Sequence, residues 1–184
     1  MNKHSETLWG LQSMVEPIDW DVVYTKELPR VYNFFLYKLG DKEFAQDLTA
    51  TTFERAWKLR SKYCPAIAGI STWLFGIARN VLKEHLRKNR LGGQKLQGIT
   101  SVEEMSAKID VEEMVQHRQE KARLRKILLI LPDREQDLIA LKYGAGLTNR
   151  EIAQVTGLSE SNVGSILHRT VNNIRTQLEN DDGR

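Results

Sequence analysis

Residues 146–169, GLTNREIAQVTGLSESNVGSILHR, constrain the fold more than any other stretch of the chain. They read as two short helices joined by a tight turn. Thr148 and Glu151 stand three apart, as a capping box requires, and Leu147 with Ile152 fits a hydrophobic staple. The pattern repeats at once, with Ser159 as a second cap and Leu158 with Val163 as its staple. Gly157 lies between, where a left-handed backbone ends a helix at little cost. Ala153, Gly157 and Val163 match the spacing of a helix-turn-helix. The second helix then offers Glu160, Ser161, Asn162, Ser165, His168 and Arg169 to a major groove, with Asn149 and Arg150 at the start of the first. Side chains of these types bond base edges or phosphates. A plain helical hairpin with a polar surface is the alternative, and it leaves two successive cap-and-staple signatures unexplained.

The rest of the 184 residues allow one or two domains, each with its own core. No apolar run approaches the ~18 residues of a transmembrane helix. The opening MNKHSETLWGLQ lacks a signal-peptide apolar core, so the expectation is a cytoplasmic protein without direct membrane insertion. One cysteine, Cys64, excludes an internal disulfide. His4, His85, His117 and His168 are dispersed and lack cysteines at ligand spacing, so no metal and no cofactor are expected. Net charge is only +3, but its distribution is uneven. Residues 79–95 hold six Lys/Arg against one Glu, residues 96–115 one Lys against five Asp/Glu, and residues 117–126 five Lys/Arg against one Glu. Two basic blocks around an acidic one suggest two nucleic-acid surfaces and a linker that avoids them.

Helical periodicity runs through most of the chain, and no strand pattern competes with it. Residues 1–20 form an extension in which Leu8, Trp9, Leu11 and Met14 suit a short amphipathic turn. A helix is expected over 21–39, with Pro29 as a break or first turn. A second follows over 42–61, with Phe44, Leu48, Phe53, Ala56 and Trp57 on its apolar face. Residues 62–70, with a Pro and a Gly, read as a loop. Ser71 is placed to cap a third helix that runs to about Arg90. On that helix Leu74, Ile77, Ala78, Val81 and His85 share one side. Arg79, Lys83, Arg87 and Arg90 share the other, flanked by Asn80 and Lys88. Such a basic stripe suits a phosphate backbone. Trp73 at its start fits either a stacking platform for an unpaired base or a buried core residue. Residues 91–115 read as a flexible linker, helical near its end. Helices resume over 116–131 and after Pro132, which suits a first helical turn. The expected fold is therefore all-α, with two small helical domains joined by a flexible linker.

Both halves together carry a resemblance. LGDKEFAQDLTATTFERAW (39–57) and STWLFGIARNVLKEHLRKNR (71–90), followed by LPDREQDLIALKYGAGLTNREIAQVTGLSESNVGSILHR (131–169), resemble regions 2 and 4 of the extracytoplasmic-function sigma factors of bacterial RNA polymerase. The resemblance spans about residues 21–178. It implies an N-terminal extension (1–20), region 2 (21–92), an acidic linker (93–115) and region 4 (116–180). It implies a non-catalytic subunit that binds core RNA polymerase and promoter DNA and directs initiation. Region 2 would meet the polymerase clamp through Asp47, Leu48, Thr51, Thr52 and Phe53. It would bind the −10 element, with strand opening, through Trp73, Arg79, Asn80, Lys83, Arg87, Lys88 and Arg90. Region 4 would read the −35 element as duplex through the helix-turn-helix residues named above. The linker would thread the polymerase cleft. An anti-sigma protein is a further partner that the resemblance admits.

The sequence departs from the family pattern in places. Ala50-Thr51 stand where Gln-Glu is usual, removing polar groups from the expected polymerase-binding helix. Gly164 replaces a basic residue in the recognition helix, Ile166 reads as core, and Asn172 and Asn173 occupy commonly basic positions. Intrinsic DNA affinity is accordingly expected to be modest. Two other classes of function fit the sequence less well. A stand-alone helix-turn-helix regulator does not need the basic stripe of WLFGIARN. A nucleic-acid enzyme needs clustered carboxylates or an activated nucleophile, and none stands out.

Overall fold

The computed structural model describes residues 18–91 and 111–182, with side chains for 18–89 and 119–180. The amphipathic turn expected near Leu8 to Met14, most of the acidic linker and the side chain of Arg90 lie outside these. Every described element is helical. The order is α1 (Trp20–Leu39), α2 (Lys42–Leu59), a 3₁₀ turn (Arg60–Lys62), α3 (Ile70–Leu91), α4 (Val111–Ile130), α5 (Asp133–Ile139), α6 (Asn149–Thr156) and α7 (Glu160–Asp182).

Short polar side chains start several helices. Asp19 caps α1 by accepting from the N–H groups of Asp21 and Val22, and Asp41 caps α2 by accepting from Phe44 at 3.0 Å. The capping box of α6 is complete: the Glu151 N–H donates to Thr148 Oγ1 at 3.2 Å, and the Thr148 N–H donates to Glu151 Oε2 at 2.8 Å. Gly157 closes α6 at φ 76°, a conformation that only glycine adopts cheaply, and Ser159 Oγ accepts from the Asn162 N–H at the start of α7.

Three local expectations are corrected. Pro29 neither breaks nor opens a helix, because α1 runs through it. Ser71 does not cap α3, which already begins at Ile70. Its hydroxyl instead donates to Glu27 Oε1 at 2.7 Å and accepts from Arg30 at 3.1 Å. Pro132 is the residue before α5, not its first turn, and the segment after α5 loosens into a π-type turn over Ala140–Gly144. There the Ala145 N–H reaches back five residues to the Ala140 carbonyl.

The helices enclose one continuous core. Phe34, Phe35, Leu74, Phe75 and Ala78 from α1 and α3 are fully buried, in the same cluster as Leu138, Leu141, Leu147, Ile152 and Val163. The Phe34 ring meets Phe75 edge-on at 5.8 Å. Glu27 is also fully buried, and Arg30 answers it with bonds of 2.8 and 2.7 Å. The Arg55–Glu84 pair ties α2 to α3 near the surface, and that guanidinium holds the Glu84 carboxyl below its ordinary range.

Two stability outcomes follow. Thr148→Ala removes the cap of α6 and should cost about 1 kcal/mol, with Thr148→Ser close to neutral. Glu27→Ala leaves Arg30 without its carboxylate in a half-buried site and should cost about 3 kcal/mol. Urea unfolding with unchanged slope checks both.

Candidate nucleic-acid interface

The amphipathic α3 supplies one candidate surface. Leu74, Ile77, Ala78 and Val81 turn into the core, while Asn80, Lys83, Arg87 and Lys88 stand exposed. His85, expected on the core side, is only half-buried, under the Phe44 ring at 4.9 Å. Partial burial holds its pKa below the ordinary value, which favours the neutral ring. Arg79 is set apart from the rest of the stripe. It donates to the Val155 carbonyl at 2.7 Å and to Asp137 Oδ2 at 3.2 Å, both in the C-terminal half.

Trp73 belongs to an aromatic cluster that sequence spacing did not reveal. Trp20 meets Trp57 at 5.9 Å and Trp73 at 6.2 Å, and Tyr63 meets Trp73 at 5.3 Å. Four separate segments thus converge beside the 63–69 loop. Trp73 is half-buried, whereas Trp57 is 52% exposed with the Arg60 guanidinium stacked 4.1 Å above it. The cluster places aromatic rings and the Arg60 cation at the start of α3. The available signal was the set of Trp20, Trp57, Tyr63 and Trp73, but nothing in their spacing says that they meet.

The second surface is α7. Val163, Ile166, Leu167 and Thr170 are buried against the domain, and Glu160, Ser161, Asn162, Ser165, His168 and Arg169 are exposed together on the other side. The amide of Asn172 lies 3.1 Å from His168 Nε2 and orients that ring. Arg150 is exposed. Asn149 is half-buried, its amide nitrogen 3.5 Å from the position a Cβ on Gly164 would take. Gly164 therefore lies against α6 as well as near the recognition face.

On α2 the residues expected to meet the polymerase separate. Asp47 is exposed, and Thr51 and Phe53 are half-buried. Leu48 and Thr52 are buried, and the Thr52 hydroxyl donates to the Leu48 carbonyl at 2.7 Å. Helical periodicity turns these two inward, so they support the surface without forming it. Beside Phe53 runs a groove of about 360 Å³ between α1 and α2, lined by Tyr24, Leu28, Pro29, Tyr32, Thr49 and Ala50.

Comparison with known proteins matches residues 23–91 to Sigma-70 region 2 and residues 121–174 to Sigma-70, region 4. The chain is 32% identical over 151 residues to the ECF RNA polymerase sigma factor RpoE of Cereibacter sphaeroides, covering 78% of each. It is 27% identical to SigM of Bacillus subtilis, covering 81% of this chain and 88% of that one. Against BldN of Streptomyces coelicolor it is 26% identical over 86% of its own length, but spans only 60% of the relative. In fold it is similar to the sigma factor RpoE of Bartonella quintana, solved with the anti-sigma factor NepR. That match has TM-score 0.70 at 20% identity and covers 88% of this chain and 97% of that one. It is also similar to CnrH, solved with the cytosolic domain of CnrY, at TM-score 0.60 and 19% identity, covering 88% and 86%. Region 2, region 4 and a relative matched over most of both lengths agree, and the chain belongs to the extracytoplasmic-function RNA polymerase sigma factors, which direct promoter recognition.

Proposed function

We propose a division of that work between the two surfaces, with residues 21–92 and 116–180 as the working units and 93–115 as their tether. Asn80, Lys83, Arg87 and Lys88 track the backbone of the −10 element, Arg79 and Arg90 extend the track, and the Trp73 cluster receives an unstacked base. Flipping a base out of the stack costs a few kcal/mol. Stacking on an aromatic face returns about 1–3 kcal/mol. The two nearly cancel, so opening depends on phosphate neutralisation and on the polymerase. The exposed face of α7, with Arg150, reads the −35 element as duplex. Asp47, Thr51 and Phe53, with the groove beside them, dock on the polymerase clamp. The protein works in the cytoplasm as an initiation subunit and adds no catalytic centre of its own. The relatives solved with anti-sigma factors support an anti-sigma protein as a further partner.

One observation carries this reading. A basic helix face with an aromatic cluster at its start and an exposed helix-turn-helix face occur in one chain. A regulator that binds only duplex needs the second and not the first. Transcription in vitro from a fragment library, with core RNA polymerase with and without this protein, tests it. Start sites that require the protein and share two upstream motifs at one spacing are expected. No starts, with the protein alone shifting duplexes that share a single motif, would replace it with a stand-alone regulator.

The two readers should also separate by mutation. Arg87→Ala with Lys88→Ala removes two phosphate contacts and should flatten the log–log salt dependence of −10 single-strand binding by about 1.4. Arg169→Ala should weaken −35 duplex binding by about 1–3 kcal/mol and leave −10 strand binding unchanged. Fluorescence anisotropy against salt, with the promoter recovered from the library, reads both.

A further inference from the structure

We propose that residues 8–14, the apolar stretch ahead of α1, fold back and seat in the groove between α1 and α2. The consequence for assembly rests on the reading of that groove as part of the face that docks on the polymerase clamp: segment and clamp then compete for one site.

The groove has the chemistry of a site for an apolar peptide. From α1, Tyr24, Leu28 and Tyr32 line it at four-residue steps, which sets them on one side of the helix over about 12 Å. From α2, Thr49, Ala50 and Phe53 form the facing wall. The Thr49 hydroxyl donates to the Ala45 carbonyl at 2.6 Å, so its polar end is already satisfied. Tyr24 is 50% exposed, with its ring edge-on to Phe53 at 4.9 Å. No charged side chain lines the groove. Covering such a surface removes apolar area from water, which is favourable and makes no demand for a charged partner. Pro29 adds one polar feature. It also lines the groove and has no N–H, so the Thr25 carbonyl one turn earlier receives no helical bond from it.

The occupant is identified by the sequence beside the groove. Residues 7–15, TLWGLQSMV, carry no charge. Leu8, Leu11 and Met14 recur at three-residue steps. Trp9 adds a large apolar ring whose indole N–H is a donor only, the complement of the Thr25 carbonyl. Two helical turns over 8–14 span about 10 Å, within the length of the groove.

The tether also fits. Residues 15–18 supply up to about 13 Å of chain, and Tyr24 lies about 6 Å along α1 from Trp20. Glu16, before Pro17, is biased away from helical backbone. Asp19 then starts α1 afresh by accepting from the Asp21 and Val22 N–H groups. A continuous helix could not return alongside α1, and the break over 16–19 lets the chain reverse. A short tether holds the segment at an effective concentration on the order of millimolar, which favours it over the same segment of a second copy.

The test uses the full chain in a Cys64→Ser background, with Ala50→Cys as a small probe at an exposed position in the groove. Alkylation of that thiol by iodoacetamide is timed with the N-terminal segment native and with Leu8→Ser, Trp9→Ser and Leu11→Ser combined, helix content being checked by circular dichroism. A seat occupied about ten to one slows alkylation about tenfold, and the triple change should restore the fast rate. Equal rates in the two proteins overturn the proposal. Protection that grows with protein concentration overturns it too, because it assigns the groove to a second copy. Core RNA polymerase is then titrated against both proteins without the probe. The competition predicts tighter binding by the triple variant, by up to about tenfold. Protection without any gain in core affinity upholds the seat and counts against the clamp reading of the groove alone.

Discussion

The Asp137 carboxylate, held between Lys38 and Arg79, is the contact on which the arrangement of the two halves turns. Its energetic meaning is modest. Ion pairs removed from water roughly break even, because desolvation offsets most of the Coulomb attraction. Cohesion comes instead from the shared apolar core, in which Phe34 and Phe75 lie in one cluster with Leu138 and Leu141. The charges fix which surfaces meet and in what register. The joint is therefore apolar in its middle and ionic along its edge.

In the proposed division of work, neither surface is a strong DNA reader alone. Gly164, Asn172 and Asn173 leave the recognition helix with few cations, and the −10 surface gains little from stacking beyond the cost of flipping a base. Specific binding to a promoter then depends on engaging both at one spacing, which multiplies two modest affinities through effective concentration.

What the sequence reveals here is whatever is local. The Thr148–Glu151 box, the Gly157 turn and the inward face of α3 are set by residues three and four apart, and spacing exposes them. Ser71 illustrates the limit: a serine before an apolar run looks like a cap, yet its hydroxyl serves Glu27 from 44 positions away. Leu48 and Thr52 belong to the motif that suggests a polymerase contact, while their burial follows from which side of α2 meets the core. The convergence of Trp20, Trp57, Tyr63 and Trp73, and the approach of Gly144 to Asn33, have no local period at all. Both arise from contacts between segments tens to more than a hundred residues apart, and only the folded chain displays them.

The most direct measurement of the central claim is initiation by core RNA polymerase on one recovered promoter whose two upstream motifs are altered one at a time. Arg87→Ala with Lys88→Ala should remove the dependence on the downstream motif, and Arg169→Ala the dependence on the upstream one. Losses that do not separate by motif would contradict two surfaces that read different stretches of DNA.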